Sequence, residues 1–224
     1  MLQLQEKELR YSIKSVDFNN DAISDIIYSG PWGGEGNIVH FFIRYDSGFQ
    51  NIFTLKQGIT KVVWKNNLID KIYAHDWGCC ADPTLKNQVY NVTYANNIPQ
   101  FELIWESIEL EEFIVKPKNY WEKPKRFEIS NELYKFRGQP YIDDTTQNYH
   151  LNITGNTIGL LEKGFRGSAY ASTTDDTGRT WWYVTIDSEY KLKDTYIKYE
   201  SRKFSPHLVG WISSRYIAEL SEKD

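Results

Sequence analysis

Apolar and polar residues alternate along most of this chain, and the repeat is two. In "FELIWE", Phe101, Leu103 and Trp105 fall on one face and Glu102, Ile104 and Glu106 on the other, the pattern of a strand with one buried side. "LRYSIKSV" alternates early. "NIVHFFIRY" meets "DSG" and then "FQNIFTLK", which predicts a hairpin with a Gly-containing loop. "ITKVVWK" and "LIDKIYAH" flank Asn66 and Asn67, and "QVYNVTYA" and "QFELIWE" flank "NNIP". Asn tolerates positive φ, so both connections suit tight turns. Three hairpins in succession predict an antiparallel meander over residues 1–115. "SIELEEF" reads either as its last strand or as a short helix.

The pattern breaks at "VKPKNYWEKPKRFEIS", which holds two Pro and five Lys or Arg within residues 115–130. Pro lacks a donor and restricts the residue before it, so residues 116–130 are predicted to link two domains. From 131 to 224 the chain is again strand-like, through "NTIGLLEKG", "GSAYAS", the turn-rich "TTDDTGR", "TWWYVTI" and "VGWISSRYIAEL". Residues 187–208 interrupt it as a charged and aromatic insertion. The fold class is mostly β.

The residues Ile158-Gly159-Leu160-Leu161-Glu162-Lys163-Gly164, Trp182-Tyr183-Val184 and Gly210-Trp211-Ile212-Ser213-Ser214-Arg215-Tyr216-Ile217 resemble the motifs of a bacterial SH3-type domain, in the family's order and spacing. The resemblance covers roughly residues 133–220. It implies a small β-barrel with an insertion, serving as a binding module for peptides or cell-wall material. By that resemblance Trp181, Tyr183, Trp211 and Tyr216 would supply the ligand-binding aromatics. Alternate residues of "TWWYV" must face the core, and Trp182 and Trp211 are expected there; exposure of Trp181 and Tyr183 would point to a ligand. The insertion departs from the family pattern and would cover or replace its groove. In the first half, "DFNNDAISDIIYSG" and "GPWGGEGNIVHFFI" resemble a single blade of the FG-GAP/VCBS propeller repeat. A propeller needs several blades, and the loop occurs once.

That loop places Asp17, Asn19, Asp21 and Asp25 at alternate or nearly alternate positions. Calcium takes oxygen ligands from such side chains, and the Ile23 carbonyl would add another. Ala22 and Tyr28 stand where an EF-hand has Gly and Glu, so an EF-hand is excluded. Two readings remain: a calcium-holding blade loop, or a turn whose Asp and Asn side chains accept backbone N–H groups.

The best catalytic candidate is "AHDWGCCADP", with His75, Asp76, Cys79 and Cys80 within six residues. A Cys nucleophile needs a His within hydrogen-bond reach and a group to orient it, and another His would have to come from His150 or His207. The adjacent Cys residues also fit a vicinal disulfide, a poor zinc site, or two small buried residues in a turn.

Composition narrows the function. Aromatics reach 16%, which favours strands and supplies binding faces. The net charge of −4 divides into −6 through residue 115 (15 acidic, 9 basic) and +2 beyond it (15 acidic, 17 basic). Neither half carries the basic field of a nucleic-acid binder. No apolar run approaches the ~20 residues of a membrane span, and "MLQLQEKELR" lacks the apolar core of a signal peptide. The chain is expected in the periplasm or on the cell surface if a leader was removed, and in the cytoplasm otherwise. The expected function is non-catalytic binding of peptide, peptidoglycan or a protein partner at the bacterial envelope. A cysteine hydrolase centred on Cys79 or Cys80 and an intracellular partner-binding protein are the alternatives.

Overall fold

A computed structural model describes residues 12–32, 36–77, 83–149, 151–197 and 206–221. Strands dominate, and the described residues contain no α-helix. The chain forms two compact units, one of residues 1–82 and 86–106, the other of 83–85 and 107–224.

The first unit is built from strands β1 (Ser12–Val16), β2 (Asp25–Trp32), β3 (Gly36–Tyr45), β4 (Gly48–Leu55), β5 (Gly58–Lys65), β6 (Leu68–Trp77), β7 (Thr84–Ala95) and β8 (Ile98–Leu110). They pair in chain order, as two runs: β1-β2-β3-β4 and β5-β6-β7-β8. The three predicted hairpins are present. Asn66 and Asn67 have φ of 52° and 64°, and Asn96 and Asn97 have 53° and 61°. Positive φ at both central residues gives the turn twist that matches two antiparallel strands. "SIELEEF" begins as the end of β8, so its strand reading holds.

The two runs share one core. Val39, Phe41, Ile43 and Leu55 from the first meet Ile69, Ile72, Ala74 and Val92 from the second. Phe53 stacks on Phe101 at 4.0 Å, nearly parallel, and Phe41 lies 5.2 Å from the same ring. A two-sided meander of period-two strands buries one face of each sheet against the other.

The second unit holds β9 (Lys125–Ile129), β10 (Leu133–Arg137), β11 (Gln147–Asn148), β12 (Ile153–Thr154), β13 (Thr157–Glu162), β14 (Arg166–Thr174), β15 (Thr180–Ile186), β16 (His207–Ser213) and β17 (Ile217–Glu219). A 3-10 turn at Ser214–Tyr216 separates the last two. The strands run β17-β9-β14-β15-β16, and β10 pairs both β16 and β13. Ser107 and Ile108, at the end of β8, pair in parallel with His207 and Leu208. Among the described residues β13 and β17 are not hydrogen-bonded to each other, so the path is open and no closed barrel forms.

Two expectations are corrected here. Residues 116–130 are not a free linker: they lie within the second unit. Lys125–Ile129 form β9, paired with both β14 and β17. The Phe127 and Ile129 side chains are fully buried there, because the "KRFEI" alternation continues the strand pattern past the prolines. The division between units falls inside β8, after Glu106, and inside β7, after Leu85, where nothing in the local sequence breaks.

Residues 192–197 of the insertion pack onto the sheet. Leu160 and Lys193 exchange both backbone hydrogen bonds, and the Tyr196 N–H donates to the Ile158 carbonyl. Leu192 and Ile197 enter the core. Gly159 permits this: a Cβ there would lie 2.6 Å from Leu192 Cδ2, closer than packed carbons tolerate. Residues 193–196 thus occupy the edge of β13 that β10 leaves open.

Candidate functional site

The predicted ligand aromatics divide between core and surface, and mostly fall in the core. Trp181 is fully buried, and Tyr183 and Trp211 nearly so. Only Tyr216 is half-buried, its ring 4.8 Å from Tyr134. Alternate residues of β15 point to opposite faces of the sheet, and Trp181 and Tyr183 fall on the face that packs into the second core. Trp182 points the other way and is half-exposed, against the expectation that it would be core, whereas Trp211 is core as expected. Both buried indoles satisfy their N–H: Trp211 donates to the Val115 carbonyl at 2.7 Å, and Trp181 to Asp175 Oδ2 at 2.8 Å. Burial and the neighbouring Glu109 carboxylate push the Tyr183 hydroxyl well above its ordinary pKa, so it remains protonated.

A groove lies beside this core, about 470 Å³ in volume, lined by Pro140, Tyr141 and Ile142 on one wall and by Thr173, Thr174, Asp175, Asp176 and Thr177 on the other. Tyr141 and Ile142 are 45% and 51% exposed. That is high for large apolar side chains on neighbouring positions. Each wall is fastened from below.

The first wall belongs to the long connection from β10 to β13, and Arg137 holds it. This guanidinium is only 4% exposed. Its Nη1 donates to the Asp143 carbonyl at 3.0 Å, to Asp144 Oδ1 at 2.9 Å and to Asn156 Oδ1 at 2.6 Å. Asn156 in turn donates from Nδ2 to the Tyr141 carbonyl at 2.8 Å. Lys135 adds a second ion pair to Asp144, and these two cations hold the Asp144 carboxyl below its ordinary pKa. Gly155, at φ +71°, sits where a Cβ would strike the Asp143 carbonyl. A buried cation that neutralises a carboxylate and collects carbonyls is how a loop without regular structure is kept in one shape.

The second wall is the turn from β14 to β15, and Asp175 organises it. Its Oδ1 accepts from the Thr177 N–H, the Thr177 hydroxyl and the Arg179 N–H, while Oδ2 takes the Trp181 indole. These donors, Thr177 first and Trp181 next, hold its pKa far below the ordinary carboxylate value. Asp176, beside it, is exposed.

The loop at 17–25 is closed by its own side chains. Asp17 accepts from the Asp21 and Ala22 N–H groups at 3.2 and 2.9 Å, and Asp21 accepts from the Ile23 N–H at 2.8 Å. Asn19 Oδ1 accepts from the Asp21 N–H, and Asn19 Nδ2 donates to Asp21 Oδ2. Asp25 is fully buried; its two oxygens accept from the Phe18 and Arg44 N–H groups. Burial raises its pKa against the pull of those two bonds. Asn20 and Ala22 take positive φ, 58° and 68°, to point these N–H groups inward. Among the described residues no group of three or more His, Cys, Asp or Glu is placed to hold a metal ion.

Cys79, Cys80 and His150 lie outside the described residues. His75 and Asp76 end β6 in the first unit, and His207 opens β16 in the second, its Nδ1 3.1 Å from the Ile186 carbonyl. Sequence reasoning missed the groove. "GQPYIDD" carried one usable signal, adjacent Tyr and Ile in a Gly- and Pro-bearing segment. The chain matches no protein-family model, no curated protein and no solved structure.

Proposed function

We propose that this protein is a non-catalytic binding protein of the bacterial cell envelope, and that it takes an extended peptide segment in the groove between residues 140–142 and 173–177. The segment belongs to a free peptide, a cell-wall peptide or a protein partner. The observation that carries this reading is the pair of exposed apolar side chains, Tyr141 and Ile142, held in place by the buried Arg137. Pre-set apolar walls lower the ordering cost of binding. The strand and turn motifs that resemble an SH3-type domain support the same class of function, by analogy of fold and not of site chemistry. For the Asp17–Asp25 loop we propose an architectural role, closing the entry to β2.

The test is a binding screen of the full chain against an array of randomised extended heptapeptides, with purified peptidoglycan sedimentation run in parallel. Binding is expected to fall at least tenfold in Tyr141→Ala and Ile142→Ser, and to persist in Leu133→Ser, which alters an exposed apolar residue outside the groove. Ligands that bind all three variants as they bind the wild type would overturn the reading. So would a chain that binds no peptide and no peptidoglycan.

A further inference from the structure

Away from the groove, two indoles meet at a right angle around a cation. Trp121 and Trp182 have ring centroids 5.4 Å apart and planes at 88°. The Lys125 ammonium sits in the corner, 5.4 Å from the first ring and 5.6 Å from the second. Both distances fall within the ~6 Å over which an aromatic face attracts a cation. Glu219 closes the third side, with its two carboxylate oxygens each 3.1 Å from the same nitrogen.

We propose that Trp121, Trp182 and Glu219 form a receptor for a trimethylated ammonium group, and that Lys125 is its built-in competitor. The walls are anchored in the sheet. The backbone N–H of Trp121 donates to the Tyr170 carbonyl at 2.7 Å, and Trp182 lies in β15 between Ser172 and Ile212. Glu219 is fixed through β17, whose register sets it opposite Phe127 of β9. The Lys125 backbone is fixed in β9 opposite Ala169, but its ammonium is held at this corner by an exposed ion pair. Lys125 and Glu219 side chains are 43% and 52% exposed, and an exposed ion pair holds weakly because water screens it. A primary ammonium is a compact, strongly hydrated charge. A trimethylated one is weakly hydrated and presents methyl groups to both indole faces, the recurrent chemistry of aromatic cages. It gives up hydrogen bonds to Glu219 but keeps the charge attraction. The lysine can therefore swing into solvent and yield the corner to such a group. This site shares no residue with the peptide groove, so either can fail without the other.

The experiment titrates the full chain with choline and, separately, with Nε-trimethyl-lysine amide, following the indole N–H resonances of Trp121 and Trp182. Ammonium chloride at equal ionic strength is the control. Saturable shifts of both indoles are expected with a trimethylated probe and not with ammonium. Lys125→Ala should tighten binding about tenfold, since the competitor is gone. Glu219→Gln should weaken it several-fold, and this change alters only an exposed side chain, whereas Trp182→Leu would remove a ring packed against the core. A higher affinity for choline assigns the group to a headgroup or choline-bearing polymer; a higher affinity for the lysine derivative assigns it to a modified protein. No saturable shift in Lys125→Ala, or equal affinities in Lys125→Ala and wild type, would overturn the proposal.

Discussion

The indole N–H of Trp181, a fully buried side chain, donates to Asp175 Oδ2 at 2.8 Å on the rim of the groove. One bond thus ties the centre of the second core to the turn that forms a groove wall. Trp181→Phe keeps most of the ring and removes the donor. It should lower stability, read from urea unfolding, because a fully buried indole is replaced by a smaller ring that leaves a cavity. Peptide binding in the groove should fall with it, because the Asp175 turn loses its anchor.

Asp175 also sets a pH dependence. Its carboxyl is held far below the ordinary value of 3.8 by Thr177 and Trp181. The group's stabilisation is therefore complete above the unfolded-state value and is lost as pH falls through the folded one. Acid unfolding of the wild type should be steeper below about pH 4 than that of Asp175→Asn, measured by tryptophan fluorescence between pH 7 and pH 2.

Arg137→Met should lower stability by about 2–4 kcal/mol. The change strands Asn156 Oδ1 and the Asp143 carbonyl, yet Asp144 is 43% exposed and recovers water, so the loss stays below that of a fully buried broken pair. Amide exchange should quicken at Gly138, Gly155 and Asn156, whose N–H groups close this loop.

Gly159→Val should detach the insertion. The new side chain takes the space of Leu192 Cδ2, so the Leu160 and Lys193 amides should lose exchange protection while those of β14 and β15 keep theirs. Equal protection in variant and wild type would show that the insertion is held elsewhere.

Asp17→Ala should lower the melting temperature slightly, since the Ala22 N–H loses its acceptor to water and the Asp21 N–H keeps only Asn19 Oδ1. A self-closed loop predicts the same wild-type melting temperature in calcium and in chelator. A calcium-dependent rise that Asp17→Ala abolishes would instead assign the loop to metal binding.

Local chemistry made much of the fold legible. The Asn pairs at 66–67 and 96–97 announced their turns because few other residues accept positive φ twice in succession. "FELIWE" announced its strand because period two has no helical counterpart. The prolines at 117 and 124 misled, because a break in pattern marks a change of direction as readily as a domain border. β9 begins at the residue after Pro124. In "TWWYV" the resemblance places Trp181 and Tyr183 on the ligand face and the core expectation takes Trp182, whereas the structure buries Trp181 and Tyr183 and leaves Trp182 half-exposed.

By itself the sequence determined the mostly-β class, the meander and its hairpin turns. These depend on interactions between residues close in the chain, where side-chain type and spacing suffice. Only the tertiary structure decided where the two units divide, which tryptophans are core, and that residues 140–142 and 173–177 line one groove. It alone brought Trp121, Lys125, Trp182 and Glu219 to one corner from segments up to 98 residues apart, counted from 121 to 219. Such meetings follow from the order in which strands pair, and strand order is set by the packing of whole sheets, which no local window of residues encodes.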